Sequence, residues 1–181
     1  MLKKMTCCAI LGAVLAEFPA FADNKFSIER IGDVLTFALP AYAAGMTFMD
    51  SDYKGLVELG LSLGGSQLAI AGLQSLVKEP RPNGGKNGFP SGHAGAAFSG
   101  ATFIHKRYGI RPAIVPYTLA TFVGFSRVHA KWHYVHDVVA GAAVSALFTW
   151  CLVDRIEKET GVLVNASASP QDFHLGFNMR F

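Results

Sequence analysis

Cysteine is scarce in this 181-residue chain. Of the three present, Cys7 and Cys8 fall within the first 22 residues and Cys151 stands alone beyond them. A chain processed at its start keeps one thiol, which excludes an intramolecular disulfide and any metal cluster built on cysteine. Charge is scarce too. Asp, Glu, Lys and Arg make up 16% of the sequence, against roughly 25% in an ordinary soluble domain. The net charge of +3 comes without a basic tail or a basic stripe interleaved with aromatics, so nothing points to nucleic acid. Internal repeats and low-complexity tracts are absent. What the chain has in abundance is apolar sequence, at 51% hydrophobic residues with 19 glycines besides. That balance points to a membrane, and the length points to one domain.

The N-terminal segment is read apart from the rest. Lys3 and Lys4 precede an apolar run from Met5 to Ala16, and Ala20-Phe21-Ala22 before Asp23 has the form of a cleavage site. Residues 1–22 therefore read as a secretory signal peptide, with a retained first transmembrane helix as the competing reading.

Five later apolar segments follow, at about Ile31 to Met49, Gly55 to Val77, His93 to Ile104, Ala113 to Val128 and Val138 to Val153. Several are shorter than the ~20 residues of a full span, and Asp33 and Glu58 interrupt the first two, a pattern that a compact soluble bundle also permits. Flanking Trp, Tyr, Lys and Arg extend such segments, and helices around a polar site are often short. The expectation is an all-α fold, a polytopic membrane bundle of five to six helices. Residues 23–160 form its helical domain and 161–181 a peripheral tail.

Threading the segments through a bilayer with Lys3 and Lys4 inside also places Lys54, Lys106, Arg107, Arg111, Arg155, Lys158 and Arg180 inside. These nine of the 16 Lys and Arg outnumber the seven outside. The bias sharpens once Lys78, Arg81 and Arg127 are set aside as site residues. The loops at Lys78 to Phe89 and His129 to His136 then face the periplasm of a bacterial inner membrane. The tail is different in kind. From Asp172 onward it alternates, with Phe173, Leu175, Phe177, Met179 and Phe181 on one face as in a strand. It resembles the last strand of an outer-membrane barrel, but nothing upstream alternates in the same way and one strand closes no barrel.

Chemistry concentrates in three places. In Pro90-Ser91-Gly92-His93 the proline favours a helix start, Ser91 offers a hydroxyl and an amide, and Gly92 allows close backbone approach. Exposed amides at a helix N-terminus bind anions, and His93 would stand beside that anion, ready to give a proton to a departing oxygen. In the second loop His133 and Asp137 are spaced i, i+4. A carboxylate on one imidazole nitrogen fixes the tautomer and frees the other nitrogen to attack. Arg127 adds a planar cation suited to phosphate oxygens. Lys78 and Arg81 bring further positive charge, and the turn Asn83-Gly84-Gly85 carries them back toward His93. Each cluster alone has a plainer reading: a helix cap, a solvated loop, a pair of snorkelling cations. Together they describe a phosphate site.

The trio Arg81-Pro82, Pro90-Ser91-Gly92-His93 and Ser126-Arg127-x5-His133-x3-Asp137 resembles the three-part signature of the type-2 phosphatidic acid phosphatase superfamily. The resemblance implies that His133 attacks phosphorus to form a phosphohistidine, with Asp137 orienting it. His93 protonates the leaving oxygen and then activates water. Arg81, Arg127, Ser91 and the Gly92 amide hold the phosphoryl oxygens, so no metal or other cofactor is implied. The family places a lysine seven residues before the arginine, where Gln74 stands here. Lys78 lies one turn later and supplies the missing ammonium if the helix continues through it. His129 and His136 match no catalytic position and read as loop or interface histidines.

The expected function is thus metal-independent hydrolysis of a lipid phosphomonoester or pyrophosphate at the periplasmic ends of three helices. The partners are the bilayer and a phosphorylated lipid. The short Pro82 to Pro90 connection resembles that of bacterial lipid A phosphatases. Isoprenyl pyrophosphate, phosphatidylglycerol phosphate and transfer to an acceptor lipid stay open, as does a non-catalytic phospholipid-binding protein. Vanadate-dependent haloperoxidases share these residues but are larger and soluble. A serine hydrolase built on Ser91 leaves Arg81 and Arg127 without a purpose.

Overall fold

A computed structural model of the chain describes residues 24–156, 162–169 and 172–179. The 1–22 signal segment lies outside the described residues. Among the described residues five helices follow one another: α1 (Asn24–Met49), α2 (Tyr53–Val77), α3 (Gly92–Tyr108), α4 (Ile110–His129) and α5 (Val135–Leu152). They coincide with the five apolar segments of the sequence, each carried outward by a few polar or aromatic residues. Capping explains several ends. Asp52 accepts the Gly55 N–H at 2.9 Å to start α2, Ser91 accepts from Ala94 N to start α3, and Lys78 in the left-handed conformation closes α2.

The packing inverts the pattern of a soluble bundle. Large apolar side chains point outward, with Phe37 73% and Leu76 79% exposed. Small polar ones lie inside: Ser62, Ser66, Ser99, Ser145 and Thr149 are fully buried. Such an arrangement suits a lipid solvent, where helices associate through close packing and hydrogen bonds between small residues. Ser145 Oγ donates to Gly95 O at 2.6 Å, and the Thr102 and Thr149 hydroxyls meet at 3.1 Å, joining α3 to α5. Helices α1, α2 and α5 carry stretches long and apolar enough to cross a membrane, Ile28–Met49, Tyr53–Val77 and Val135–Leu152.

Helix α3 is the hub. It packs on all four other helices, and Ala94, Gly95, Ala97, Gly100, Ala101 and Phe103 along it are buried. Two glycines let backbones meet. A Cβ on Gly100 would stand 2.7 Å from the Leu39 carbonyl carbon, and one on Gly141 would collide with Ser91 O. The apolar core joins Leu35 and Leu39 of α1 to Ala97 and Ala101 of α3 and Ala120 and Val123 of α4.

One end of the bundle is locked by charge. Arg107, at the end of α3, donates to both Asp52 oxygens at 2.7 and 2.6 Å, to Glu58 at 2.9 Å and to Asp154 O at 2.8 Å. Glu58, which interrupts the second apolar segment, is thereby paired at the helix end. Past the helices, β1 (Val162–Ser169) pairs antiparallel with β2 (Asp172–Met179). The alternating tail is thus a strand, and the expectation that it has no upstream counterpart is corrected. The register sets Val164 opposite Phe177 and Ala166 opposite Leu175. The partner was hard to read because Ala and Ser alternate with little contrast.

Candidate active site

At the end of the bundle opposite Arg107, the start of α1, the loop before α3, the start of α3 and the end of α4 enclose a cavity of about 190 Å³. It is lined by Glu29, Asp33, Arg81, His93, Arg127, Trp132 and His133. That volume lies below the ~300–1,000 Å³ of typical small-molecule pockets. It suits a head group and not a whole amphiphile.

His133 sits in the loop before α5 and is 3% exposed. Its Nδ1 lies 2.7 Å from Gly88 O and 3.4 Å from Asp137 Oδ2. The nearer acceptor takes the Nδ1 proton, which leaves Nε2 as the free nitrogen. The i, i+4 spacing of His133 and Asp137 is not that of two residues within one helix, because α5 begins at Val135. Asp137 Oδ2 accepts the Tyr134 N–H at 2.7 Å to cap that helix, and the ring belongs first to the Gly88 carbonyl. Burial pushes the His133 imidazole below its ordinary value, so the ring stays neutral; the Gly88 hydrogen bond opposes this shift and the Arg81 charge reinforces it.

Arg127 is buried and held by three hydrogen bonds. It donates to Asp33 Oδ1 at 2.7 Å, to Glu29 O at 2.7 Å and to Ser126 Oγ at 3.1 Å. Its guanidinium is held as a rigid fork. Arg81 lies over the Trp132 ring at 5.3 Å, and its buried Nε has no hydrogen-bond partner among the described residues. A guanidinium with an unmet donor, beside the cavity that Arg127 also lines, suits an anion. His93, in the first turn of α3, has Nε2 at 3.6 Å from Asp33 Oδ1.

The structure therefore brings Arg81, His93, Arg127 and His133 around one space, with Asp137 behind His133. Ser91, Gly92 and Lys78 are not among the residues that line it. Ser91 is fully buried; its hydroxyl caps α3 and its N–H donates to Asp137 O at 2.9 Å. Gly92 lies beside it, its carbonyl accepting from Gln67 at 3.4 Å. Lys78 is exposed, and because it ends α2 in the left-handed conformation the helix does not continue through it toward the site. Gln74, at the position of the family lysine, donates to Pro90 O at 2.8 Å and holds the Pro-Ser-Gly-His turn instead. Sequence reasoning missed Glu29, Asp33, Trp132 and the Gly88 carbonyl. Glu29 and Asp33 carried a signal: two acids one turn apart at the start of an apolar helix.

The protein-family model for the PAP2 superfamily matches residues 82–160. A lipid A 4'-phosphatase of Helicobacter pylori is 33% identical over 153 residues, covering 78% of this chain and 77% of that one. The chain belongs to the PAP2 superfamily. Among solved structures, this PAP2 protein is similar to Aquifex aeolicus LpxE, with TM-score 0.62 over 72% of this chain and 87% of that one, at 17% identity. A PAP2-type phosphatidylglycerolphosphate phosphatase from Bacillus subtilis is 25% identical, with TM-score 0.56 over 83% of this chain and 84% of that one. The second of these structures is described as transmembrane, and with three of the described helices fit to span a bilayer the chain is a membrane protein.

Proposed function

We propose that this PAP2 protein is a lipid phosphatase that releases inorganic phosphate from lipid A through a phosphohistidine on His133. One observation carries the reading: two guanidiniums and two imidazoles surround a single cavity of about 190 Å³, and the His133 ring is tethered through Nδ1. The free Nε2 lone pair attacks phosphorus, and the phosphorus–oxygen bond to the lipid breaks. Protonated His93 gives its proton to the leaving oxygen. Arg81 and Arg127 take up the charge that grows on the equatorial oxygens, and Asp33 keeps Arg127 aimed. Neutral His93 then removes a proton from water, whose oxygen displaces Nε2 and frees phosphate. Asp137 stabilises the positive charge on the His133 ring while it carries the phosphoryl group.

Lipid A is favoured by the relative at 33% identity. The inner-membrane placement rests on the charge distribution: Lys54, Lys106, Arg107, Arg111 and Arg155 gather at the end away from the cavity, which leaves the cavity periplasmic. Residues 23–160 are the catalytic domain and 161–181 a peripheral tail.

The test is phosphate release by the purified protein in EDTA, from lipid A, undecaprenyl pyrophosphate, phosphatidylglycerol phosphate and a soluble phosphomonoester. Release from lipid A, lost in His133→Ala, is the expected result. Release confined to another lipid overturns the substrate, and undiminished release by His133→Ala overturns the mechanism.

A further inference from the structure

Directly behind the catalytic cavity lies a second cluster, of which the reaction uses Asp137 alone. Glu79 Oε1 is 2.8 Å from His136 Nε2, and His136 Nε2 is 3.2 Å from Asp137 Oδ1. All three donor atoms lie within 4.8 Å of one another. Asp137 is fully buried, and its Oδ1 makes no hydrogen bond among the described residues. Its other oxygen is committed to the Tyr134 N–H. A buried carboxylate oxygen without a donor is a ready ligand for a cation. The neighbouring His136 nitrogen comes close but is not aligned to hydrogen-bond with it.

The frame around these donors is fixed. The His136 ring stacks on Tyr134 at 5.4 Å and 9°, with the Phe89 ring at 6.0 Å. The Glu79 carbonyl accepts the Gly88 N–H at 2.7 Å. Zinc bonds to imidazole and carboxylate are about 2.0–2.2 Å long, which puts neighbouring donors about 3–3.5 Å apart. The two measured separations are close to that range. One imidazole and two carboxylates offer a dication two negative charges, and exposed His136 and half-buried Glu79 leave it open to solvent on one side.

We propose that Glu79, His136 and Asp137 form a zinc site that inhibits the enzyme. A Zn²⁺ ion on Asp137 Oδ1 takes up the negative charge that His133 needs from this carboxylate when its ring becomes positive. The inhibition rests on the phosphatase reading; the binding does not.

The test starts from the full chain in detergent, stripped with EDTA and desalted. Zn²⁺ is titrated by calorimetry and, separately, into the phosphatase assay. We expect one saturable site and matching inhibition, both weakened about tenfold or more in His136→Gln and in Glu79→Gln. In EDTA each variant should retain the activity of the parent to within about twofold, which establishes that it is folded. Zinc affinity unchanged in both variants, or no saturable binding to the parent, overturns the site. Binding lost in the variants while inhibition persists would place zinc on His93 or His133 and overturn the inhibitory role.

Discussion

Replacing Asp137 by asparagine separates the tasks of its carboxylate. The Asn amide oxygen can still accept the Tyr134 N–H that Oδ2 now takes at 2.7 Å, so the start of α5 survives. The tautomer survives too, because the Nδ1 proton of His133 goes to Gly88 O at 2.7 Å. Only the charge is lost. Between unit charges at the observed 3.4 Å, an effective dielectric of about 20 gives roughly 5 kcal/mol. With about half a charge on the ring at the transition state, the loss is about 2–2.5 kcal/mol, or about 30–70-fold in kcat. The assay is phosphate release in EDTA, read as kcat and KM, beside thermal unfolding in the same detergent. The expected result is that fall in kcat with KM and melting nearly unchanged. A loss as complete as that of His133→Ala, in a protein that still melts normally, would mean that Asp137 and not Gly88 orients the ring.

Three further outcomes follow from the geometry. Arg107→Ala strands Asp52 and Glu58 without their buried cation and should cost about 3–5 kcal/mol of stability. Because Arg107 lies about 21 Å along α3 from His93, kcat of the folded fraction should not change; a stability loss under about 1 kcal/mol by thermal unfolding refutes the clamp. Gln74→Ala removes the hydrogen bond to Pro90 O and should lower kcat, whereas Lys78→Ala, at an exposed helix end, should leave it alone; the opposite order restores the lysine to the site. Because burial lowers the His133 pKa, the attacking ring stays neutral below the ordinary imidazole value of about 6.5. The acid limb of kcat/KM should fall below that pH, and a limb at or above it refutes the neutral, buried nucleophile.

The five helices were legible because their apolar segments are long and separated by charge, Gly or Pro. What the segments concealed was which helix lies at the centre. Helix α3 reads as a weak span, since Gly92–Tyr108 is short and rich in Gly, Ala, Ser and Thr. Those residues make it central: buried by four neighbours, it needs no large apolar surface, and small side chains bring the other backbones close. Hydropathy measures preference for lipid and so underrates a helix shielded from it. Glu58 looked like an interruption for a related reason, because its partner Arg107 is 49 positions away in the chain.

At the site, the residues that sequence motifs could nominate were those with a distinctive side chain, and Arg81, His93, Arg127 and His133 do converge. What motifs could not assign was the division of labour among neighbours. Ser91 looks like a phosphate ligand in sequence, yet its hydroxyl oxygen caps α3 at the Ala94 N–H and its own N–H donates to Asp137 O, which joins α3 to α5. Gly88 has no side chain to mark it, yet its carbonyl fixes the tautomer of the His133 ring. Asp33 looked like a defect in an apolar helix, and holds the guanidinium of Arg127. Hydrogen-bond capacity is finite, and backbone groups compete for it on equal terms with side chains. A carboxylate that caps a helix with one oxygen has one oxygen left, and at Asp137 that remaining oxygen is the donor from which the zinc site follows.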